Sequence, residues 1–351
     1  MNFGFCNALY GELSVVQNLE KSRALGFGTY ETGAWSLLKR DKFDGGRAVQ
    51  QSHLDDWSLI DDIGQAAADT GVSICCIHAP PPGIKLGDPN FDDNFFIYEA
   101  LLARMQKLGI NLLLHHAGNG KLGDFQEGAN QPMWDAIVGS LKKLRDVAAS
   151  YGVQLTIETG SGLQDLTRPE ALKRLFDEVE GLSWAIDVQH AFRPGHWTYP
   201  EYFEAVGDKL AHMHVPDGDG FISHGGIPGQ CTIDWDEVMG LVHQTGYDGN
   251  AIIETDLRAL DYILGYYLNM MKEEGISAAR IKSIPYSPPN QYRYGTAAEG
   301  NTKLTPVFDR MPGAVITLNE NADEITDIRD HVILTAKKQL ERFWNQNGDT
   351  T

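Results

Sequence analysis

Four short apolar stretches in the second half of the chain each end in a side chain that can bind a metal ion. They cover residues 155–158, 183–187, 210–214 and 251–254, and their last residues are Glu158, Asp187, His214 and Glu254. Short apolar runs flanked by helix-like sequence are typical of buried strands in a parallel sheet. Because side chains alternate between the two faces of a strand, one terminal side chain per strand can point to the same end of the sheet. We therefore predict that the four side chains converge on one site.

Three carboxylates and one imidazole indicate which cation such a site would hold. Hard oxygen ligands with a single imidazole favour Mn²⁺, Mg²⁺ or Co²⁺ over a structural zinc, which prefers thiolates. Mn²⁺ is our first choice, and Zn²⁺ is kept as an alternative. Two carboxylates from different strands can also move a proton on opposite faces of a substrate, so Glu158 and Glu254 are predicted to be catalytic as well as metal-binding.

Strand-like and helix-like stretches alternate from the first residues, beginning with a strand at 3–6 and a helix at 14–25. Eight such units fit within about 275 residues, the usual size of a (β/α)8 barrel. An open doubly wound sheet alternates in the same way, but polar residues recur at the ends of nearly all the strands, and no Gly-x-Gly-x-x-Gly turn follows the first one. The predicted fold is a TIM barrel whose eighth helix spans 257–274.

The regular alternation of strand-like and helix-like stretches ends at about residue 276. A proline-rich stretch at 284–290 leads to a mixed segment, and residues 324–345 predict one helix. The apolar stripe of that helix consists of Ile325, Ile328, Val332, Leu340 and Phe343. We divide the chain into a catalytic barrel, 1–276, and a C-terminal extension, 277–351, which packs on the barrel or on a partner subunit of a homo-oligomer.

Composition restricts the classes of partner. The 351 residues carry a net charge of −19, with 42% hydrophobic and 22% charged residues, as in an ordinary globular protein. This acidic balance argues against nucleic acid, because phosphate backbones are bound by a surplus of Lys and Arg. The four cysteines are expected to be reduced thiols, and the first residues lack the features of a signal peptide or membrane anchor. We expect a cytoplasmic protein that acts on a small molecule.

The residues around the strand ends give a more specific indication. Asp187 lies in Ile-Asp-Val-Gln-His, His214 lies in His-Met-His-Val-Pro-Asp, and Glu254 follows Gly-Tyr-Asp-Gly by five residues. In this order the motifs resemble those of the xylose-isomerase-like superfamily of TIM barrels, which includes sugar isomerases and epimerases, inosose and dehydroshikimate dehydratases, and apurinic endonucleases. The resemblance covers residues 1 to about 275. It implies that Glu158 and these three residues are the metal ligands.

The resemblance also implies roles for two further histidines. His190 matches a substrate-binding or second-metal histidine, and His116 falls where the endonuclease branch has a metal histidine. Adjacent strand residues diverge, and of His115 and His116 we predict that His116 faces the pocket. His78, which ends the third strand, and Trp35, predicted on a loop at the mouth, complete the substrate-binding candidates.

Three other polar residues are left open. Glu31 ends the second strand and is a weaker pocket candidate, whereas His212 shares a face with His214 one layer deeper and could equally be a core residue. His224, on the loop after the seventh strand, could ligate a second metal or simply be exposed.

The predicted reaction begins with removal of a proton next to a carbonyl of a sugar or keto-sugar. Return of the proton gives an isomerase or epimerase, which is our first prediction. Cys231 and Gly220 depart from the family pattern, and Gly220 replaces an arginine of the ketose epimerases. This departure keeps a lyase as the alternative, either an inosose-type dehydratase or an enzyme that cleaves a 3-oxo-glycoside by β-elimination. A phosphodiesterase (endonuclease) and a non-catalytic sugar-binding barrel rank below both.

Overall fold

The computed structural model describes residues 1–11, 13–38, 54–79, 86–117, 131–160, 168–192, 195–218, 226–229, 232–255 and 328–348. Within these ranges eight parallel strands pair in chain order, and the first also pairs with the eighth, so that the sheet closes into a barrel. The strands are β1 (Asn2–Cys6), β2 (Thr29–Gly33), β3 (Ser73–His78), β4 (Leu112–His116), β5 (Gln154–Glu158), β6 (Ser183–Asp187), β7 (Leu210–His214) and β8 (Asn250–Ile253). The predicted TIM barrel is confirmed.

In the described part of the chain, helices lie between the strands and one more helix follows the last strand. They are α1 (Val15–Ala24), α2 (Ala34–Leu37), α3 (Ser58–Thr70), α4 (Phe95–Lys107), α5 (Gln131–Ser150), α6 (Pro169–Glu178), α7 (Val188–Ala191), α8 (Tyr199–Val206), α9 (Trp235–Thr245) and α10 (Ile328–Gly348). None of these helices is long and apolar enough to span a lipid bilayer. The helix predicted at 257–274 lies outside the described residues.

Local sequence explains where the helices start and stop. Ser14 caps α1: its hydroxyl accepts from the backbone N–H of Gln17, and the Gln17 side chain accepts from the N–H of Ser14. At the other end of a helix, Gly71 follows α3 with a φ of 69°, a left-handed conformation that favours glycine.

One local prediction needs correction. Trp35, predicted on a loop, lies instead in the single helical turn α2. Ala34 and Leu37, three residues apart, both face the interior and are buried, so one turn of helix shields apolar surface that an irregular loop would leave exposed.

The last helix, α10, packs against the outer helices α1 and α9. Phe343 stacks on Trp235 of α9, with ring centroids 6.1 Å apart. Asp330 accepts from Lys21 Nζ of α1 at 2.6 Å. In a (β/α)8 barrel the helix that follows β8 lies between the first and seventh outer helices, and α10 has that position.

The predicted apolar stripe of this helix is mostly buried. Val332 and Leu340 are fully buried, and Phe343 is 9% exposed. Ile325 and the side chain of Ile328 lie outside the described residues, as does the predicted domain boundary at 276, which remains a prediction.

Candidate active site

The four predicted ligands meet at the C-terminal end of the barrel. One ligand atom from each of Glu158, Asp187, His214 and Glu254 can be chosen so that all lie within 4.8 Å of one another. They come from the ends of β5, β6 and β7 and from the residue after β8. The first three are buried, whereas the Glu254 side chain is 30% exposed. The group is therefore open to solvent on the Glu254 side.

The register of the strands places these side chains at the same height along the barrel axis. A register shift between Trp184 and Ala185 of β6 lets Asp187 pair directly with His214 of β7. Asp187 also caps α7, because its Oδ1 accepts from the backbone N–H of His190 at 2.7 Å. The cap turns the chain back, so that His190 lies beside the ligands rather than pointing away from the barrel.

His214 lies at the centre of the cluster. Its Nδ1 is 3.0 Å from Glu158 Oε1 and 2.7 Å from Glu254 Oε2, while its Nε2 is 3.1 Å from each carboxylate oxygen of Glu31. Burial alone would lower the pKa of His214, but the carboxylates of Glu31, Glu254 and Glu158 raise it well above its usual value. Both ring nitrogens therefore face acceptors.

Three further histidines surround Glu158. His78 Nε2 and His116 Nε2 are 3.1 and 3.3 Å from Glu158 Oε2, and His190 Nδ1 is 3.7 Å from Oε1. Burial would lower the pKa of His78, but the close Glu158 carboxylate, together with Glu31 and Glu254, raises it to about 9. Burial lowers the pKa of His116 to about 4 despite the opposing charge of Glu158. One ligand atom from each of His78, His116 and Glu158 also lies within 4.8 Å of the other two, close enough to share a metal ion.

The neighbouring histidine of β4 points away, as predicted. His115 Nε2 is 2.7 Å from the hydroxyl of Tyr98, and its Nδ1 is 2.6 Å from the carbonyl oxygen of His116. Burial lowers the pKa of His115 to about 3. This ring is a neutral packing residue behind the site.

The pKa values of the carboxylates indicate what kind of ligand the site can hold. Burial would raise the pKa of Glu158 and of Glu254, but the surrounding imidazoles lower both. Burial, opposed by His190 and reinforced by the two glutamates, raises the pKa of Asp187 to about 6. Glu158 Oε2 is buried without a well-aligned hydrogen bond from any described residue. Crowded carboxylates and an under-satisfied buried oxygen fit a divalent cation.

The sequence model of the xylose isomerase-like TIM barrels matches residues 19–277. This chain belongs to that family. D-psicose 3-epimerase from Clostridium cellulolyticum H10, solved with D-tagatose, superposes with a TM-score of 0.63 at 16% identity, covering 98% of this chain and 99% of the other. The apo 3-keto-D-glucoside 4-epimerase of E. coli gives 0.58 at 17% identity over 78% and 99%.

The sequence relatives of this xylose isomerase-like barrel match a smaller share of the chain than these solved structures do. The fructoselysine 3-epimerase of Shigella flexneri is 26% identical over 133 residues, which are 35% of this chain and 45% of that protein. The chain spans about half the length of the curated relatives it matches.

Two residues of this xylose isomerase-like barrel that the sequence left open join the cluster. Glu31 is 1% exposed, and it contacts both His214 and His212, whose Nε2 is 2.7 Å from Glu31 Oε2. Glu31 was predicted to end the second strand, but β2 continues to Gly33 and Glu31 lies within it. The two-residue spacing from His212 to His214 is the signal that places both histidines on one face. His224 lies outside the described residues.

Trp35 is the one substrate-binding candidate that the described structure does not join to the cluster. It is 37% exposed on α2, directly after the strand that carries Glu31. Among the described residues it makes no hydrogen bond, ion pair or ring contact with the clustered histidines and carboxylates. Its place at the end of β2 keeps it at the catalytic end of a TIM barrel.

Proposed function

We propose that this protein is a divalent-metal-dependent isomerase or epimerase that acts on a sugar or keto-sugar by removing a proton next to a carbonyl. The observation that carries the proposal is the convergence of Glu158, Asp187, His214 and Glu254 within 4.8 Å at the catalytic end of the barrel. Membership of the xylose isomerase-like family and the sugar epimerases among its relatives support it.

These four residues would hold the cation, with Mn²⁺ as the first expectation and Mg²⁺, Co²⁺ or Zn²⁺ as alternatives. The chemistry that such an ion supplies when bound is polarisation of a carbonyl oxygen, which makes the neighbouring C–H group more acidic. His214 would provide its Nδ1 atom, since that nitrogen faces Glu158 and Glu254.

Glu158 and Glu254 are proposed as the proton-transfer pair. They come from different sides of the barrel and approach His214 Nδ1 with separate oxygens, so they can address opposite faces of one substrate carbon. One carboxylate takes the proton, and the conjugate acid of the other returns one to the opposite face. The exposed side of Glu254 gives a substrate access to this pair.

The histidines around Glu158 are proposed to bind the substrate. His190, His116 and His78 lie at the rim of the cluster and are partly exposed, so their ring nitrogens can bind hydroxyl groups of a sugar. Trp35 offers an aromatic face on which a sugar ring can stack. Small carbohydrates are therefore the expected ligands.

A lyase is the alternative, because Gly220 replaces the arginine of the ketose epimerases. Elimination shares the first proton abstraction and differs only when a β-substituent leaves. Two of the relatives are named for substituted sugars, fructoselysine and a 3-keto-D-glucoside. Substituted keto-sugars are therefore substrates to try beside free ketoses.

The test is incubation with ketoses, inososes and 3-oxo-glycosides in D₂O with Mn²⁺. We expect at least one class to gain deuterium at the carbon next to the carbonyl, because proton abstraction exchanges with solvent. Product mass then separates an isomer from an elimination product. The His214→Ala protein is the control. Substrates that remain unlabelled throughout the panel would argue against proton abstraction.

Metal content provides an independent prediction. We expect about one divalent ion per wild-type chain and a strong loss in the His214→Ala protein, because removal of the imidazole leaves three crowded carboxylates without their only nitrogen ligand. Elemental analysis after dialysis against Mn²⁺ and then buffer measures this. Full occupancy in the variant would mean that His214 is not a ligand.

A further inference from the structure

Beneath the four candidate ligands, Glu31, His212 and His214 form a buried hydrogen-bonded cluster. Glu31 Oε2 is 2.7 Å from His212 Nε2, and both Glu31 oxygens are 3.1 Å from His214 Nε2. Neither Glu31 nor His212 has a role in the proton transfer proposed above. A buried carboxylate is unfavourable unless its partners offset its desolvation, so this arrangement calls for an explanation.

The contact crosses the interior of the barrel. Glu31 is the middle residue of β2 and His214 ends β7, and β1 and β8 lie between these two strands around the barrel. Strands β2 and β7 are not paired with each other, so Glu31 and His214 meet only through their side chains. It reaches His214 from the side opposite to Glu158 and Glu254, which face the other ring nitrogen.

Without a cation both nitrogens of His214 face carboxylates and both can donate. A cation held by Glu158 and Glu254 would take the place of the hydrogen on Nδ1, and Glu31 would then determine that the remaining hydrogen is on Nε2. An ionised carboxylate only accepts hydrogen bonds, so the Nε2 atom that faces Glu31 must donate. In the neutral imidazole the other nitrogen, Nδ1, then holds the lone pair. That lone pair is directed to the space shared by the oxygens of Glu158 and Glu254, where the cation would lie.

We propose that Glu31 is a positioning residue for the metal centre: it holds His214 as the Nε2–H tautomer, with Nδ1 directed at the cation. His212 in turn donates to Oε2 of Glu31 and fixes the rotamer of that carboxylate. The inference rests on the metal-dependent function proposed above. It adds a residue outside the four proposed ligands and the proposed proton-transfer pair.

The first measurement is Mn²⁺ affinity by calorimetric titration of the wild type and of the Glu31→Gln variant. The amide keeps the shape of the side chain but presents an N–H₂ group to one of the two imidazoles. Loss of a carboxylate behind a metal-binding histidine typically weakens affinity by about 10–100-fold, and we expect a change in that range.

Asp217→Asn is the matched control. Asp217 is also a buried carboxylate at the same end of the barrel, but it accepts from the backbone N–H groups of Gly218 and Gly229 and from Trp235 Nε1. Its loss should lower the melting temperature and leave Mn²⁺ affinity within about twofold, since these three hydrogen bonds hold the backbone and Trp235 rather than a metal-binding histidine. Equal weakening in both variants would overturn the positioning role in favour of general destabilisation.

A second measurement uses the wild-type protein, so it does not depend on whether a Glu31 variant folds. In wild-type protein labelled with ¹⁵N-histidine and loaded with diamagnetic Mg²⁺, the His214 signals should show a proton on Nε2 and none on Nδ1. A proton on Nδ1 would overturn the proposal, as would wild-type Mn²⁺ affinity in Glu31→Gln. Wild-type protein that binds no Mn²⁺ would overturn the proposed metal-dependent function as well, so the two failures are distinguishable.

Discussion

Replacement of Glu158 or Glu254 by glutamine is expected to reduce turnover by about 10²–10⁴-fold, the range that general acid–base groups contribute. The amide oxygen can still coordinate a metal ion, so each variant should retain part of its Mn²⁺. The amide cannot carry the proton, however, and the catalytic step is lost. Steady-state rates measured beside metal content on the same samples separate the two effects.

The structure predicts that the two variants differ in metal content. Glu158 has Oε1 near His214 and Oε2 near His78 and His116, so its amide N–H₂ group must face an imidazole. The partly exposed Glu254 can turn its amide nitrogen to solvent. We therefore expect Glu158→Gln to lose more Mn²⁺ than Glu254→Gln.

Hydrogen exchange distinguishes two bases from one. If each glutamate serves one face, each variant should fail to exchange the substrate epimer whose proton its own residue removes. Glu237→Gln on α9 is the control for loss of a glutamate charge. A Glu158 or Glu254 variant that keeps its metal and turns over near the wild-type rate would show that this residue is only a ligand.

A chain shortened to end at Ile284 is expected to lose stability or change its assembly state, because α10 would no longer cover α1 and α9. Val332, Ile333, Ala336 and Leu340 are fully buried in the intact protein, and the surfaces they cover are apolar. Thermal unfolding and light scattering test this. Unchanged melting temperature and size would mean that the extension is dispensable.

Two leucines of α10 provide a matched pair of point variants for the same prediction. Leu340 is fully buried and Leu334 is 42% exposed on the same helix. Leu340→Ala should lower the free energy of unfolding by about 2–5 kcal/mol through lost burial and a cavity. Leu334→Ala should stay within about 0.5 kcal/mol, as is usual for surface positions. Urea unfolding measures both.

Much of the site could be predicted because the patterns that indicate it lie among residues close together in the sequence. Each metal-binding candidate ends an apolar run, and β-strand alternation places such terminal residues on one face. The same alternation separated His116 from His115 correctly. The fold followed from the number of strand-and-helix units and from the polar residues at the strand ends.

The remainder depends on contacts that no local pattern contains. Glu31 meets His214 across the barrel, between strands that are not neighbours, so neither residue's surroundings in the sequence indicate the other. The periodicity of α10 predicts an amphipathic helix but does not specify which surface it covers. The single helical turn that contains Trp35 is too short to show periodicity, so the sequence does not distinguish it from a loop.

Closure of the sheet between β1 and β8 also affects how soon the barrel can fold during synthesis. Phe3 pairs with Ala251 at the β1–β8 junction, and Lys21 binds Asp330, which lies 309 positions later in the chain. Non-local pairing of this kind slows folding. At about 5–20 residues per second of synthesis, the free edge of β1 would wait roughly 12–50 s for β8 to be made. A nascent chain therefore exposes one unpaired edge of β1 during that interval, and the junction completed last is the one that positions Glu254.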